Sequence, residues 1–510
     1  MKSFWGFYRF IWWNIYMSHV ITILRIRFWI ITFIISGEKI SMDILEQSIQ
    51  EECWNTFLQY KIERQHLSAK EEKQLREFLE KKTYIEWGRR LMDETYVLPL
   101  PVRREINKGG SAKKRVVYSY PYELNQMLKF VAYALYRYDA IFADNCYAFR
   151  REYGVKDAIW RIRRTKGIAD KYCLKVDIHN YFNSIDVDIL LEKVSFLQEQ
   201  DDRLYGVLKQ LLTADAALAI DEQGKNHKDR GNENASAEYA VIREEEDNAP
   251  LEYAMIREEE DNDHCRKEEM GSGKVIWEKR GAMAGTPVSP FFANVYLKDV
   301  DAWFAGEGIL YFRYSDDILI FADTLEELQS YQEVLYSKLS ELRLELNPDK
   351  VKISRPGEIW EFLGFCYRDG KVDLSENTIR KMQHKIKRKA ESLRRWQRKK
   401  GVSGDKAAKG FIKAMNYKFF AKEDGTEFTW SRWFFPNLTT DQGLKTVDAY
   451  MQQYIRYCVT GRHYKGNYRI TYEQMKEWGY RSLVAEYYSY KKQRMMQPDN
   501  LVTEENMSNK

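Results

Sequence analysis

The chain of 510 residues lacks two features that would place it in several common classes of protein. Its six cysteines are scattered and include no Cys-x-x-Cys pair, which argues against a zinc module and against a disulfide framework. It also has no uncharged apolar run of the ~20 residues that a membrane-spanning helix needs. We therefore expect a protein of the reducing cytoplasm with no stable membrane partner.

Residues 1–41 differ from the rest of the chain because Trp, Phe and Ile dominate and no acidic residue precedes Glu38. Arg25 and Arg27 interrupt the apolar run, and no small-residue cleavage site indicates a signal peptide. From Met42 the pattern becomes that of an ordinary amphipathic helix, which predicts a helical region over 42–95. We expect Met42 to be the natural start. The alternative is that residues 1–41 form an interfacial, spanning or partner-docking helix.

The formal net charge of +5 conceals an uneven distribution. Residues 221–270 contain 17 acidic and 7 basic side chains, so the rest of the chain carries about +15, an electrostatic pattern typical of nucleic-acid binding. The acidic stretch repeats Glu-Tyr-Ala-x-Ile-Arg-Glu-Glu-Glu-Asp-Asn from Glu238 and again from Glu252. This composition predicts a disordered surface insertion over about 215–272, with a regulatory flap that imitates nucleic-acid charge as the alternative.

Two adjacent carboxylates, Asp316 and Asp317, lie between two runs of β-forming residues from Tyr311 to Phe321. Neighbouring side chains on a strand point to opposite faces, so both carboxylates can serve one site only if Ser315-Asp316-Asp317 forms a hairpin turn. Two close anions raise each other's pKa unless a cation lies between them, and Mg²⁺ is the usual partner of such oxygen ligands. An exposed Asp-Asp turn is the alternative.

A second acidic position favours the metal-site interpretation. Asp177 ends the apolar run that begins at Tyr172, and a strand-end aspartate combined with a hairpin Asp pair is an arrangement that holds two metals for phosphoryl transfer. The pattern Asp-h-x-x-x-Phe from Asp177 to Phe182, and the Tyr-x-Asp-Asp box from Tyr314 to Asp317, resemble the motifs of reverse transcriptases in order and spacing.

The resemblance implies an α+β right-hand polymerase, with fingers and palm over 96–375, a helical thumb and C-terminal extension over 376–490, and a disordered tail over 491–510. It implies Asp177, Asp316 and Asp317 as catalytic residues that hold two Mg²⁺ ions, for which Mn²⁺ is the expected substitute. The Ile178 carbonyl is an expected additional ligand.

The same resemblance assigns residues to the incoming deoxynucleoside triphosphate. Lys113 and Arg115 correspond to the family's fingers hairpin, and Phe182 to its steric gate. Gly285 corresponds to the glycine of motif B, and Lys350 to the lysine of motif D. Intron-encoded relatives usually have Pro-Gln before the second glycine of motif B, where this chain has Met283 and Ala284.

Contacts with nucleic acid are implied at Arg150, within the block Asn145–Arg151 that resembles the family's template-strand block, and at Phe362 and Gly364 in the primer-grip hairpin. The span Glu376–Lys400 contains 11 Lys or Arg and two acidic residues on a helical pattern. It resembles a thumb helix that grips a duplex backbone, with Lys385 and Arg388 as contacts; a merely solvated helix is the alternative.

Taken together, these motifs predict an RNA-directed DNA polymerase, most similar to bacterial stand-alone, defence-associated (abortive-infection type) reverse transcriptases of the group II intron and retron-like superfamily. Its expected partners are an RNA template, which we expect to be a non-coding RNA, and a DNA or RNA primer. An oligomer is compatible with the sequence. The alternatives are a maturase-like or retron enzyme, a template-independent protein-primed polymerase and, less favoured, a non-catalytic RNA-binding scaffold.

Overall fold

Three small β-sheets are combined with helices in the computed structural model, which describes residues 42–65, 67, 69–107, 114–219, 274–279, 281–420 and 429–495. The predictions for residues 1–41, for Lys113 and for most of the acidic insertion and the tail lie outside these ranges. None of the described helices is both long and apolar enough to cross a membrane.

The N-terminal helices bury apolar residues at the three- and four-residue spacing of one helix face. Helices α1 to α4 span Ile44–Gln47, Glu51–Gln65, Ala69–Glu80 and Thr83–Met92. Trp54 and Phe57 of α2 are buried, and the Trp54 ring stacks on Phe130 of α5 (Tyr122–Ala134) at a centroid distance of 4.6 Å. All four helices lie within the helical region predicted over 42–95.

The first sheet has the strand order β2-β1-β4-β5, with strands at Val102–Asn107 (β1), Lys114–Ser119 (β2), Ala216–Ala219 (β4) and Lys274–Trp277 (β5). Strands β1 and β2 pair antiparallel, so the basic segment between them joins two paired strands as predicted for the fingers. The predicted start of the insertion at residue 215 is wrong by a few residues, because β4 pairs with β1 and β5 and belongs to this sheet.

The second sheet contains both segments that carry the aspartates. Its order is β6-β7-β3-β8, with strands at Leu310–Tyr314 (β6), Asp317–Ala322 (β7), Tyr172–Asp177 (β3) and Lys352–Ser354 (β8). Helix α11 (Ser289–Gly306) packs on β6, and α12 (Leu325–Glu341) packs on β3 and β7. The predicted hairpin around Ser315 is confirmed.

Five shorter helices connect these sheets. Helices α6 to α10 span Val155–Arg164, Tyr181–Ser184, Val187–Val194, Phe196–Gln200 and Asp202–Thr213. Asp201 caps α10 by accepting a hydrogen bond from the Leu204 amide (3.0 Å), and its other carboxylate oxygen accepts from the Ile44 amide (2.7 Å). This buried side chain therefore ties the first described helix to the domain that carries the aspartates.

A third sheet precedes the C-terminal helices. Its order is β11-β10-β9, from Trp360–Phe362 (β9), Phe365–Arg368 (β10) and Lys371–Leu374 (β11), so the predicted hairpin around Gly364 is confirmed. Helices α13 to α18 span Glu376–Lys400, Gly404–Phe419, Trp430–Phe434, Gln442–Thr460, Tyr472–Glu477 and Leu483–Met495. Helix α13 has the predicted bounds and packs against α14 and α16, and its apolar residues Met382, Ile386 and Leu393 are buried.

The core behind the aspartate hairpin contains a fully buried ion pair. Arg313 of β6 and Asp301 of α11 both have completely buried side chains, and the guanidinium donates from Nε and Nη2 to the two carboxylate oxygens at 2.7 and 2.5 Å. The Tyr311 hydroxyl donates to the same carboxylate at 3.0 Å. This bidentate geometry joins α11 to β6 in a way that apolar packing alone does not specify.

Replacement of one member of this pair should destabilise the protein strongly. Arg313→Leu leaves the Asp301 carboxylate buried without its counter-ion, which is expected to cost about 3–5 kcal/mol of the free energy of unfolding. Urea denaturation followed by circular dichroism measures this loss. Arg203→Gln, which removes an exposed pair with Glu46 at 3.4 Å, is the matched control and should leave the midpoint nearly unchanged. An equally small effect of Arg313→Leu would contradict the assignment.

Candidate active site

The pairing of β3 with β7 brings the distant aspartates together. The two strands are antiparallel, and the register sets Asp177, the last residue of β3, directly opposite Asp317, the first residue of β7. On the other side of β7, Tyr314 of β6 pairs with Asp317, which leaves Ser315 and Asp316 as the two-residue turn of the hairpin. Asp177 precedes Asp316 by 139 positions in the sequence, yet the three carboxylates meet at one end of the sheet, as the motif predicted.

The hairpin turn has a backbone conformation that needs support. Ser315 has φ of +58°, in the left-handed region that costs a non-glycine residue on the order of 1–3 kcal/mol. The buried Arg313 guanidinium donates from Nη1 to the Ser315 carbonyl at 3.2 Å, while the same side chain is fixed by Asp301. Sequence reasoning missed Arg313 and Asp301, because nothing in a single sequence connects Asp301 with the motif that contains Arg313.

Backbone hydrogen bonds attach two further segments to the turn. The Ile178 amide donates to the Asp316 carbonyl at 3.1 Å, so the residue predicted as an additional ligand lies beside the Asp pair. The Asn347 amide donates to the Asp177 carbonyl at 2.9 Å and brings the short 3₁₀ helix Pro348–Lys350 to the site. The Lys350 ammonium then donates to Asp177 Oδ2 at 2.7 Å.

Burial raises the pKa of the two hairpin carboxylates, Asp316 and Asp317. Burial, followed by the negative charges of Asp317 and Asp177, raises the pKa of Asp316 to about 7. Burial also raises the pKa of Asp317, and the neighbouring Lys175 ammonium opposes that rise. The site therefore concentrates negative charge that favours binding of a cation.

Two more lysines face the carboxylates and were missed in the sequence. Lys175 precedes Asp177 by two positions on β3, so both lie on the same face of the strand, and its Nζ is 3.8 Å from Asp317 Oδ1. The two-residue spacing could have identified it. Lys381 comes from helix α13, and its pKa is lowered by burial and by Lys350 while Asp317 opposes the shift. The first turns of α13 thus lie near the aspartates.

The donor chemistry of the site fits a hard divalent cation. Asp177, Asp316 and Asp317 supply carboxylate oxygens, the ligands that Mg²⁺ prefers. Among the described residues, no group of three or more His, Cys, Asp or Glu side chains is arranged closely enough to hold a metal ion by itself. This is compatible with Mg²⁺ sites in nucleotide-processing enzymes, where one or two carboxylates act together with water and substrate phosphates.

The residues predicted to contact the nucleotide have different surroundings. Phe182 is 6 % exposed, and its ring packs edge-on against Tyr181 and Phe149 at 5.7 and 6.2 Å. Arg115 lies half-buried on β2, and Lys113 falls outside the described residues. Gly285 has φ of +101°, and a Cβ there would lie 2.8 Å from the Tyr118 carbonyl, so its close approach is to β2.

The predicted nucleic-acid contacts divide into internal and surface residues. Arg150 is 7 % exposed and donates to the carbonyls of Ala143, Cys146 and Asp139 at 2.9–3.2 Å, which argues against direct contact with a template. Phe362 is fully buried, so it can shape the hairpin but cannot touch a primer.

The turn of the β9–β10 hairpin is attached directly to helix α13. The Gly364 carbonyl accepts hydrogen bonds from the Ser375 amide (3.0 Å) and from Thr378 Oγ1 (2.8 Å), at the beginning of α13. Farther along α13, Lys385 is half-buried and Arg388 is exposed. They are three positions apart, so they lie next to each other on one helix face.

Comparisons with known proteins agree with this geometry. Residues 106–367 match the family described as reverse transcriptase (RNA-dependent DNA polymerase), which is just over half of the chain. The retron Ec86 reverse transcriptase of Escherichia coli is 26 % identical over 117 residues, which cover 22 % of this chain. The match spans only 37 % of that relative's length.

Solved structures with detectable similarity include two telomerases. Apo telomerase from Candida tropicalis, truncated from the C-terminal domain, has a TM-score of 0.35 at 13 % identity, covering 54 % of this chain and 55 % of that one. Telomerase from Candida albicans in complex with a TWJ fragment of telomeric RNA has a TM-score of 0.34 at 13 % identity, covering 79 % and 68 %. Because its motifs and the matched span of 106–367 coincide, the chain belongs to the reverse transcriptase family, the RNA-dependent DNA polymerases.

Proposed function

We propose that the chain is an RNA-directed DNA polymerase that adds deoxynucleotides to a primer by two-metal phosphoryl transfer. The observation that carries this proposal is the β3–β7 register, which sets Asp177 opposite Asp317 with Asp316 in the adjoining turn. Asp177, Asp316 and Asp317 would hold two Mg²⁺ ions. When bound, such ions supply neutralisation of phosphate charge and activation of the attacking primer hydroxyl.

The remaining residues contribute position and charge. The Lys350 side chain is 55 % exposed beside Asp177, and its ammonium would donate a proton to the leaving pyrophosphate. Arg115, on the strand that follows the basic fingers segment, supplies positive charge for the triphosphate. The Arg313–Asp301 pair keeps the aspartate turn in place during the reaction, so alignment does not have to be created for each substrate.

Removal of one carboxylate tests the proposal directly. Asp316→Asn and Asp317→Asn should each lower Mg²⁺-dependent incorporation of dNTPs on an RNA template by more than about 100-fold, since even residues that only orient metal ligands contribute 10–100-fold. Primer extension with radiolabelled dNTP measures the loss. Asp323→Asn, at the exposed end of the same hairpin, is the control and should retain activity. Near-normal rates in either active-site variant would end the two-metal interpretation.

The choice of sugar tests the role proposed for Phe182. This ring would lie beneath the incoming sugar, where a 2′-hydroxyl would collide with it. Phe182→Ala should therefore admit ribonucleotides, with a shift on the order of 1–3 kcal/mol in selectivity. Single-nucleotide extension with dNTP and rNTP on the same primer measures this ratio.

Two controls separate the gate from a packing role. Phe182→Leu keeps most of the side-chain volume and should retain part of the discrimination, whereas thermal denaturation reports the packing that Phe182→Ala loses. If Phe182→Ala loses stability but still rejects ribonucleotides, the ring only fills the core. If the wild-type protein uses both sugars equally, an RNA polymerase becomes the better description.

The match to a retron enzyme supports a non-coding RNA as the template, and we propose a role in defence against phages. Sequencing of the nucleic acid that copurifies with the protein should identify one RNA and its complementary DNA. The Asp316→Asn protein should retain the RNA and lack the DNA, and cells that contain it should lose protection in a plaque assay.

DNA that is covalently attached to the protein and complementary to no RNA would favour the protein-primed alternative. Copurified RNA from a surrounding intron would favour a maturase.

A further inference from the structure

The segment from residue 449 to 472 has an unusual composition for a surface near a thumb helix. It contains no Asp or Glu, four Lys or Arg residues, one histidine and six tyrosines: Tyr450, Tyr454, Tyr457, Tyr464, Tyr468 and Tyr472. The second half of α16 and the 3₁₀ helix Lys465–Arg469 occupy most of this segment. Neither the aspartate site nor the predicted nucleic-acid contacts include any of these residues.

A sharp turn folds the loop after α16 back onto the end of that helix. Gly461 has φ of +76°, a backbone conformation that favours glycine, and the guanidinium of Arg394 on α13 lies beside it, 2.1 Å from where a Cβ would be. The reversed loop is held by hydrogen bonds from Arg456 Nε to the Ile470 carbonyl (3.1 Å) and from Asn467 Nδ2 to the Arg462 carbonyl (2.8 Å). These contacts give the loop a defined conformation.

This turn arranges flat side chains and cations as pairs. His463 stacks on Tyr457 with ring centroids 4.9 Å apart and planes 14° from parallel. The Arg456 guanidinium lies 5.0 Å from the centre of the Tyr468 ring, and the Arg462 guanidinium lies 4.9 Å from that of Tyr464. We name this group of six residues the tyrosine–arginine patch.

The outer members of the patch are open to solvent. Tyr468 is 70 % exposed although Arg456 covers part of its ring, and Tyr464 is 41 % exposed. Arg462, His463, Lys465 and Arg469 are also exposed. Large exposed aromatic surface costs free energy in water, so two exposed rings held beside cations indicate a binding surface more than a packing surface.

We infer that the tyrosine–arginine patch binds an unpaired nucleic-acid strand. Exposed bases stack on aromatic rings and on guanidinium planes, whereas the surrounding Lys and Arg side chains attract the phosphate backbone. Bases inside a duplex are already stacked on one another and cannot use these rings. A protein partner fits less well, because the patch has no acidic residue and no exposed aliphatic residue with which to form a mixed interface.

The patch is distinct from the polymerase centre. Helix α13 connects the two, since Lys381 is close enough to Asp317 to feel its charge and Arg394 contacts the turn at Gly461. Arg394 lies 13 positions after Lys381, which corresponds to about 20 Å along a helix axis. A strand on the patch is therefore separated from the nucleotide that enters beside the aspartates, and its binding does not depend on catalysis.

The test uses the full chain carrying Asp316→Asn, so that strand binding is measured without polymerisation. The probes are a fluorescein-labelled 12-nucleotide oligouridylate and its deoxyribose counterpart, with excess unlabelled primer–template duplex to occupy the palm. Adding Tyr464→Ala and Tyr468→Ala together should weaken binding of the oligonucleotide at least about tenfold, because stacking of each base contributes a factor of about five or more. Fluorescence anisotropy measures the affinity.

Two comparisons distinguish a binding role from a structural one. Tyr336→Ala with Tyr488→Ala removes two exposed tyrosines elsewhere, 39 % and 55 % exposed, and should leave the affinity unchanged. Arg462→Gln should reduce the slope of log affinity against log salt by about one phosphate contact, an effect that a loss of packing does not produce. Thermal denaturation verifies that each variant is folded.

The outcomes separate this inference from the polymerase assignment. Equal weakening for the RNA and DNA probes identifies an unpaired strand of either sugar, and weakening for the RNA probe alone identifies an RNA element; both support the inference. Unchanged binding in the Tyr464 and Tyr468 variant, or an equal loss in the control variant, overturns it. Failure of dNTP incorporation by the wild-type protein would refute the polymerase assignment without affecting this measurement.

Discussion

The antiparallel register between β3 and β7 is the constraint on which the active site depends. It joins two segments that lie far apart in the chain and sets Asp177 opposite Asp317. Side chains alternate along a strand, so a slip of one residue would move Asp177 to the opposite face of the sheet and separate it from Asp317. The strand pairing that forms this sheet therefore also aligns the carboxylates.

Electrostatic forces act on the two sides of the aspartate turn in opposite ways. Behind it, the buried Arg313–Asp301 pair is fully compensated and holds the left-handed Ser315 in place. In front of it, burial and repulsion raise the pKa of Asp316, and the cationic groups of Lys175 and Lys350 face the carboxylates. The fold thus supports a concentration of negative charge that would be unfavourable alone, and a cation with bound phosphate is the natural partner of that charge.

The structure gives several family motif positions an internal role. Arg150 is occupied by three backbone carbonyls, Phe362 is buried, and Gly285 makes room for the backbone of β2. Such residues can be essential to a polymerase without touching its substrates, because they position the elements that do. In contrast, the tyrosine–arginine patch lies outside the matched span of 106–367. Its arrangement becomes visible only when the end of α16 and the following loop are folded together.

The sequence by itself determined the α+β fold class, the hairpin with the Asp pair, the bounds of α13 and which three aspartates to look for at one site, since each follows from local periodicity or a short motif. Only the tertiary structure decided that Arg313 meets Asp301, that Lys381 approaches Asp317 and that residues 216–219 complete a sheet. The physical reason is the range of the interactions. Hydrophobic periodicity and turn chemistry act between near neighbours, whereas ion pairs and strand pairing join residues whose distance in sequence carries no information about their distance in space.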